Sequence, residues 1–305
     1  MDMNRSSAQS KGKKSLLGSR KGNLRETVMR IVFLVAACIS ILCVALICIY
    51  LFANGIPAIA EIGPVEFLLG TEWRPNADMY GIFPMILGSI YVTAGAIIVG
   101  VPLGLLAAIF MAKFCPAPLY KVLKPAVDLL AGIPSIVYGF FGLMVIVPLM
   151  QKVFPNTSGK SILTASVLLG IMILPTIIGV SESAIRAVPD SYYEGALALG
   201  ASHERSVFFV TVPAAKSGIM AGIILGVGRA IGETMAVIMI AGNQPRIPDS
   251  LLDGVRTLTG NIVTEMGYAT GLHREALIAT GVVLFVFILI INLLFSIIKR
   301  KESKA

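Results

Sequence analysis

Residues 190–213 read DSYYEGALALGASHERSVFFVTVP, a polar segment between two apolar parts of the chain. Pro189 suits the first turn of a helix, and Gly200 suits the left-handed residue that ends one. Ser202 then suits the N-cap of a second helix, which leads through aromatic residues to Pro213. The segment therefore predicts two short helices that are joined at Gly200.

The first of these helices combines an apolar side with an acidic residue. Its apolar residues are Tyr192, Tyr193, Ala196 and Leu197, and Glu194 can lie near the positive end of the helix dipole. By composition alone, such a helix fits the surface of a membrane as well as it fits a partner protein. Composition therefore leaves both interpretations open.

The spacing of residues in this segment favours the partner protein. Glu194-Gly195-Ala196 is followed by Gly200 and, after nine further residues, by the motif VTVP that ends at Pro213. This pattern resembles Glu-Ala-Ala, Gly, Ile-x-Leu-Pro, the cytoplasmic loop by which membrane subunits of ATP-binding-cassette (ABC) importers bind their ATPase. This chain has glycine at 195 where alanine is common, and valine at 210 and 212 where isoleucine and leucine are common. These replacements are conservative in size. The resemblance implies an ATPase-docking loop.

The composition is that of an integral membrane protein, with 56% hydrophobic residues, 14% charged residues and a mean hydropathy of +0.86. A helix needs about 20 apolar residues to cross a hydrocarbon core of about 30 Å. Six such runs predict an all-α protein with six transmembrane helices. The second run is long enough to tilt or to kink near Pro102. The runs are 31–53, 82–112, 129–151, 161–181, 217–241 and 276–298.

Lysine and arginine predict the orientation of these spans. They are concentrated in segments 1–30, 113–124 and 299–301, whereas acids dilute them in the first, third and fifth loops. Because cytoplasmic flanks carry the positive excess, both termini and the docking loop are predicted to lie in the cytoplasm of a cell-membrane protein. The predicted parts are a basic, disordered tail (1–30), a six-helix permease domain (31–298) with a coupling loop (182–213), and a basic tail (299–305).

The net charge of +8 raises the question of a nucleic-acid partner. Most of the excess lies in the N-terminal tail and beside the spans, where anionic lipid headgroups explain it better. The apolar run from Ile31 is longer than the core of a secretory signal and is followed by no cleavage site, so it is expected to stay as an anchor. We therefore predict the lipid bilayer, and no nucleic acid, as a partner.

Residues typical of catalytic, metal or nucleotide sites are lacking in the sequence. The four cysteines fit small apolar fillers, and neither His203 nor His273 has the neighbours of a metal site. No Walker lysine motif is present. The chain is thus predicted to be no enzyme and to hold no cofactor or metal, so that ATP would be bound by a separate subunit.

Arg229 and Glu233 place a cation and an anion in the fifth run, near the middle of the membrane. Each costs about 2.5–3.5 kcal/mol at the centre of a lone helix, so both are expected to face protein or water. Gly218, Gly222 and Gly226 precede them at helical spacing and would share their face. We predict that this glycine stripe packs against the bundle interior or a partner subunit.

Two interpretations of this charged pair remain open. In the structural one, Arg229 and Glu233 form an ion pair that locks helix packing and never meets a substrate. In the functional one, Arg229 attracts an anion that crosses the membrane, while Glu233 orients the guanidinium and competes for it, so that the anion is released. Both can hold in alternate states.

From the first span onward, the chain resembles the PstC-type permease subunits of bacterial phosphate ABC importers. The resemblance implies the ABC type I importer permease fold, uptake of inorganic phosphate by alternating access, and transport-critical roles for Arg229 and Glu233. The matching segments are 70–73 (GTEW), 132–139 (GIPSIVYG), 194–213, 228–237 (GRAIGETMAV), 241–243 (AGN) and 272–274 (LHR).

The same resemblance implies a complex with four kinds of subunit. A second, PstA-type permease would complete the pathway, and a pair of PstB-type ATPase subunits would dock on the cytoplasmic loops. An extracytoplasmic PstS-type protein would deliver phosphate. Closure of the ATPase pair on ATP would move the helix around Glu194 and open the permeases outward.

Other classes of protein are alternatives to a phosphate permease. An ABC permease for sulfate or molybdate fits the charges equally well, and only the wording of the third and fifth spans argues against it. A secondary transporter or channel commonly shows an internal repeat, which the sequence lacks. An intramembrane enzyme would need a nucleophile and base or a metal cluster. An additional role in sensing phosphate scarcity stays open.

Overall fold

The computed structural model describes the backbone of residues 20–302 and the side chains of residues 26–294 and Ile297. The chain divides into two compact units, Met1–Ala53 and Asn54–Ala305. In the described part, the first unit is a length of helix α1 (Arg20–Ile62), which ends within the second unit. The predicted disorder of residues 1–19 concerns positions outside the described residues.

In its described residues, the regular structure of the second unit is helical apart from a small hairpin, β1 (Trp73–Arg74) and β2 (Met79–Tyr80), which pair antiparallel, and a parallel bridge between Gly242 and Val255. Segments of π-helix continue three of the helices at Phe110–Phe114, Gly142–Ile146 and Val207–Thr211. The helices that follow α1 are α2 (Pro64–Leu69), α3 (Phe83–Ile109), α4 (Ala117–Gly132), α5 (Ser135–Phe141), α6 (Val147–Val153), α7 (Ile162–Arg186), α8 (Asp190–Ala198), α9 (His203–Ser206), α10 (Val212–Ala214), α11 (Lys216–Gly232), α12 (Met235–Ile240), α13 (Leu258–Glu265) and α14 (Gly271–Glu302).

In the described residues, five helical segments are long and apolar enough to cross a membrane, and each overlaps a predicted run. A sixth crossing arises when the pair His203–Ala214 and Lys216–Gly232, bent by 70°, counts as one span. The prediction of an all-α, multi-pass membrane protein is confirmed. The five segments are Glu26–Ile62, Phe83–Phe114, Ser135–Val153, Ile162–Arg186 and Gly271–Leu294.

Helices α3 and α7 pack closely at the centre of the second unit. A Cβ atom on Gly100 would lie 2.8 Å from the carbonyl oxygen of Gly170, so only glycine permits this approach. Nearby, the Ser166 hydroxyl donates to the Val92 carbonyl at 3.3 Å. Because lipid is as apolar as a side chain, helices in a membrane associate through such close packing and hydrogen bonds. Small residues therefore hold α3 and α7 together, and α3 runs through Pro102 without a break.

Two smaller apolar clusters lie at opposite ends of this centre. At one end, here called the hairpin end, Trp73 and Tyr80 of the hairpin pack with Leu258 of α13. At the other, here called the coupling end, Ile185 of α7 packs with Val207, which precedes α10. The two ends therefore hold the two groups of polar side chains described below.

The third span begins later than the sequence predicts. The predicted run is 129–151, but α4 extends to Gly132 and the span is Ser135–Val153. Pro134 lacks an N–H group and disfavours a helical backbone at the residue before it, and Ile133 is accordingly extended (φ −69, ψ 126). The Tyr138 hydroxyl donates to the Leu130 carbonyl at 2.9 Å and stabilises the corner.

The fifth run, 217–241, is two helices and not one. Helix α11 ends at Gly232, Glu233 has an extended backbone (φ −69, ψ 129), and α12 begins at Met235. The Glu233 side chain accepts the Ala236 N–H at 3.2 Å, and its carbonyl accepts the Thr259 hydroxyl at 3.2 Å. The prediction that Glu233 shares a continuous helical face with the glycine stripe is therefore wrong.

Charged flanks extend several helices beyond their predicted bounds. Helix α1 begins at Arg20, within the predicted tail, and α14 continues to Glu302. Helix α7 reaches Arg186, so the loop starts at Ala187 instead of residue 182. Arginine, lysine and glutamate have high helix propensity, so that apolar helices lengthen into such flanks.

Candidate functional site

The loop between α7 and α11 has the two-helix form that its sequence predicts. Helix α8 is followed by Gly200 at φ +85, and the Ser202 hydroxyl accepts the Arg205 N–H at 3.3 Å. Pro189 is the N-cap of α8, one position before the helical turn predicted for it. Since a side chain at positive φ is strained, glycine at 200 sets the turn between the helices.

Aromatic and charged contacts fasten this loop to the end of α3. The Tyr193 hydroxyl lies 2.7 Å from Nδ1 of His203, which joins α8 to α9. The His203 ring meets the Phe114 ring edge-on with centroids 4.7 Å apart. Lys113 Nζ lies 3.5 Å from Asp190 Oδ1 at the start of α8. The orientation of α8 is thus fixed by residues outside the docking motif.

The docking motif itself is largely exposed. Glu194 and Gly195 are exposed, Ala196 is half-buried, and a Cβ atom on Gly195 would have no neighbour within 4 Å. Leu199 is 91% exposed and Phe209 is 76% exposed beside them. Exposed apolar side chains next to an acid are typical of protein interfaces.

The remaining motif residue, Pro213, lies in the three-residue helix α10, just before the 70° bend that leads into α11. The loop therefore connects directly to the helix that carries the glycine stripe and Arg229.

The glycine stripe of α11 faces α7 inside the second unit. A Cβ atom on Gly222 would lie 3.0 Å from Ser181 Oγ, and one on Gly226 would lie 2.8 Å from Ile177 Cγ1. The third glycine, Gly218, approaches Ala184 more closely still. Small residues allow two backbones this proximity, so the stripe determines how α11 packs against α7.

Arg229 lies in the bundle interior beyond the stripe. Its Nη1 donates to the Thr176 hydroxyl at 3.4 Å, and Thr176 is near the middle of α7. The residue is half-buried. The cation therefore contacts a neutral hydroxyl group at mid-span.

Glu233 does not neutralise this cation. Its carboxylate caps α12 through the Ala236 N–H, and no carboxylate among the described residues forms an ion pair with Arg229. The two side chains bond to different elements, α7 and α12. The structural interpretation of a direct Arg229–Glu233 ion pair is therefore wrong in this conformation, and so is the part of the functional interpretation in which Glu233 orients the guanidinium.

A buried carboxylate at the coupling end was missed from the sequence. Glu182 of α7 is 1% exposed and accepts the Tyr120 hydroxyl at 2.6 Å, Lys124 Nζ at 3.1 Å and Arg186 Nε at 2.8 Å. Arg186 also donates to the Met111 carbonyl at 2.7 Å. These contacts join α4, α7 and the end of α3 next to α8, so movement of the loop would reach all three.

A second buried carboxylate, Glu265, lies at the hairpin end. It is 7% exposed, accepts Trp73 Nε1 at 2.9 Å and His273 Nε2 at 2.8 Å, and pairs with Arg256. Burial by itself would raise the pKa of Glu265, but the hydrogen bonds from Trp73, His273 and Arg256 outweigh it and hold the pKa below its ordinary value. Trp73 and His273 belong to segments that were quoted above only because they resemble PstC-type permeases.

The described residues contain no group of three or more His, Cys, Asp or Glu side chains that could hold a metal ion. The candidate site consists of the docking loop, the glycine stripe and Arg229, which are joined through α7 and α11.

A helical membrane bundle with a partner-docking loop and an interior cation defines a class of transport permease, and the comparisons give its family. Residues 100–304 match the family described as the binding-protein-dependent transport system inner membrane component. The chain belongs to this family. It is a permease subunit of an ABC importer and has no catalytic role of its own. Membership of this family implies a separate ATPase and a binding protein as partners.

Named relatives place the chain more narrowly. It is 38% identical over 292 residues to the "Probable ABC transporter permease protein YqgH" of Bacillus subtilis, across 92% of this chain and 94% of that protein. It is 36% identical to the "Phosphate transport system permease protein PstC" of Mesorhizobium japonicum, across 80% of this chain and 81% of that one. The resemblance to PstC-type permeases is therefore confirmed.

Solved structures support the fold alone. A bacterial alginate ABC transporter chain is 15% identical, with a TM-score of 0.65 across 92% of this chain and 98% of that one. A chain of the MetNI methionine ABC transporter in an inward-facing conformation is 19% identical, with a TM-score of 0.60 across 76% and 99%. The ABC importer permease fold is thereby confirmed.

Proposed function

We propose that this chain is the permease subunit through which an ATP-driven complex imports inorganic phosphate. The observation that carries the proposal is Arg229, a cation at mid-span whose hydrogen-bond partner among the described residues is the neutral Thr176 hydroxyl. Several relatives over most of the chain are named as PstC phosphate permeases. An anion is the ligand that such a site lacks, and the relatives favour phosphate among anions.

The chemistry of Arg229 suits phosphate. A guanidinium offers planar, paired N–H donors that match two oxygens of a tetrahedral oxyanion. Thr176 contacts it without neutralising it, so little must be displaced when an anion arrives. Binding by one such group is also weak enough for release, which a transport pathway requires.

The proposed orientation places the coupling end in the cytoplasm and the hairpin end outside. The positive flanks of the spans support it, since Lys113 and Lys124 contact Asp190 and Glu182 at the coupling end. A pair of PstB-type ATPase subunits, which bind ATP as this chain does not, would then dock on α8. A PstA-type permease and a PstS-type phosphate-binding protein complete the proposed complex.

The proposed mechanism couples α8 to Arg229 through α7. Helix α8 follows α7 after three residues, and Lys113 and Glu182 fasten both to their neighbours. Helix α7 also carries Thr176, the partner of Arg229, and packs on the glycine stripe. Closure of the ATPase pair on ATP would displace α8 and, through α7, open the site alternately to each side.

A second candidate is import of sulfate or molybdate, because the fold and one arginine suit any tetrahedral oxyanion. Family membership disfavours a secondary transporter. The deciding experiment copurifies the tagged chain with its partners and measures phosphate uptake by vesicles that contain the complex. Arsenate should compete, whereas sulfate and molybdate should not. Competition by sulfate or molybdate at equal concentration would assign the chain to that anion.

A further inference from the structure

A polar cavity of about 650 Å³ lies at the hairpin end, away from Arg229 and the docking loop. Residues 71–74, which lead into β1, line one side, and residues 244–247, which follow α12, line the other. Its volume is within the range of ligand sites in proteins, about 300–1,000 Å³. No part of the site described above uses this cavity.

The charged side chains of the cavity favour an anion. Its lining contains two arginines, Arg74 and Arg246, and one acid, Glu72. Arg74 Nε lies 3.5 Å from Glu72 Oε2, and both side chains are more than half exposed. Arg246 Nε donates to Gln244 Oε1 at 2.9 Å. An exposed ion pair and a neutral amide are weak partners, so both guanidiniums can turn to an oxyanion at low cost.

The walls of the cavity are firmly held. Trp73 is 5% exposed and donates to the buried carboxylate Glu265 at 2.9 Å. On the other side, Arg256 Nε donates to the Asn243 carbonyl at 3.1 Å and its guanidinium pairs with the same carboxylate. Both lining segments are therefore anchored to the Glu265–Arg256 pair, which keeps Arg74 and Arg246 on opposite sides of one space.

The cavity is connected to the interior cation by a single short helix. Gln244 follows α12, and α12 begins two residues after Glu233, at the break that ends the helix of Arg229. Six helical residues span about 9 Å. The cavity and the break thus lie at the two ends of α12, on the route between the hairpin end and the middle of the bundle.

We propose that this cavity is an oxyanion site in which Arg74 and Arg246 receive inorganic phosphate before it reaches Arg229. The proposal rests on the proposed function and adds a first station to its pathway. Phosphate displaces Glu72 and Gln244 from the two guanidiniums. It is released when these side chains return to the guanidiniums. Carboxylates of a docked protein share the chemistry of the anion, and the experiments below distinguish them.

The first experiment uses Trp73, the one tryptophan in the chain, which is one of the residues that line the cavity and whose buried indole donates to Glu265. The purified full-length chain is titrated with inorganic phosphate at constant ionic strength set by chloride. A saturable change in tryptophan fluorescence is expected in the wild type and lost in the Arg74→Gln/Arg246→Gln variant. Arg274→Gln, which removes an exposed arginine outside the cavity lining, should respond as the wild type does. Absence of the change in wild type, or its persistence in the double variant, would overturn the proposal.

The second experiment uses the complete complex in vesicles. At low phosphate, the Arg74→Gln/Arg246→Gln variant should take up phosphate about tenfold more slowly, within the range that fixed charges contribute to capture of an ion. Its affinity for the phosphate-loaded binding protein should not change. Unchanged uptake would overturn the proposal, and so would weakened affinity for the binding protein, which would assign the arginines to protein docking. Failure of the proposed function would look different, because the wild-type complex itself would then take up no phosphate.

Discussion

Arg229 and Glu233 are four positions apart, yet they contact different parts of the molecule. Arg229 bonds to Thr176 of α7, and Glu233 caps α12. A mid-membrane cation without an anionic partner is unfavourable by about 2.5–3.5 kcal/mol even on the lowest scale. An arriving anion would offset part of that cost, which is the physical reason to place Arg229 in the pathway.

Substitutions at this cation separate a pathway role from a packing role. Arg229→Lys keeps a point charge and should retain part of the phosphate uptake, whereas Arg229→Gln should retain almost none. Both variants should assemble, because the partners that are lost are neutral. The measurement is uptake per assembled complex in vesicles. Wild-type uptake by Arg229→Gln would exclude Arg229 from the pathway.

A residue outside the pathway, Glu265, makes stability depend on pH. Its pKa is lowered on folding, so its contribution is present above the unfolded pKa, near 4.5, and is lost as pH falls through the folded value. Glu265→Gln should therefore destabilise the protein by roughly 3 kcal/mol at pH 7, because Arg256 keeps a buried, unpaired charge.

Thermal unfolding in detergent at pH 7 and pH 4 measures this dependence. The difference between wild type and Glu265→Gln should shrink at the lower pH. Glu275→Gln, an exposed acid near the start of α14, is the matched control and should change little. An equal difference at both pH values would contradict the role of the ionised carboxylate.

Some of these residues could be predicted from the local sequence, and others could not. Gly200 and Ser202 act within their own turns, and the structure places both as the sequence predicts. Glu182 meets Tyr120 and Lys124, which are 62 and 58 positions away, and Glu265 meets Trp73 across 192 positions. Such partners come together only through the tertiary fold, so no local pattern could indicate them.

Among the helices, apolar length predicted the spans well and their interruptions poorly. The break before Ser135 has a local cause in Pro134, which the apolar run conceals. The break at Glu233 has no proline, and it depends on the Thr259 hydroxyl from α13, a tertiary contact. Hydropathy reports how much of a helix can lie in lipid, and it carries no information on where the helix ends inside the protein.

The turn between α8 and α9 should be sensitive to substitution. Gly200→Val places a branched side chain at φ +85 and should lower transport while insertion into the membrane continues. Gly267→Val is the matched control, because Gly267 lies outside the loop, lacks a positive φ, and a Cβ atom there would meet nothing within 4 Å. Binding of the ATPase subunit and phosphate uptake are measured for both. Normal binding and uptake in Gly200→Val would contradict the docking role of the loop.

The contact between α11 and α7 can be tested with one type of substitution at two positions. Gly218→Ala would press a Cβ atom against Ala184, whereas Gly228→Ala in the same helix meets open space. Both substitutions gain about 1 kcal/mol of helix propensity, so a difference between the two variants in the yield of complex reports the effect of packing. Gly218→Ala should yield less intact complex in detergent than Gly228→Ala does. Equal yields would show that the stripe does not require glycine.

The second unit as a whole joins two polar ends through one central pair of helices. Helix α7 runs from the hairpin end to the coupling end, carries Thr176 at its middle and leads into α8. The family defines the class of protein, and in the proposed mechanism α7 is the route by which an ATPase at one end would act on an anion inside. Uptake is then expected to depend on both α8 and Arg229.

ATP-driven accumulation of phosphate by the reconstituted complex is the most direct test of the proposed function. Proteoliposomes that contain this chain, its partner permease and the ATPase are supplied with binding protein and radiolabelled phosphate, with ATP enclosed inside. Phosphate should accumulate above its outside concentration only when hydrolysable ATP is present, and Arg229→Gln should abolish the accumulation. Equal phosphate entry without ATP, or ATP-driven accumulation of another anion in place of phosphate, would contradict the proposed function.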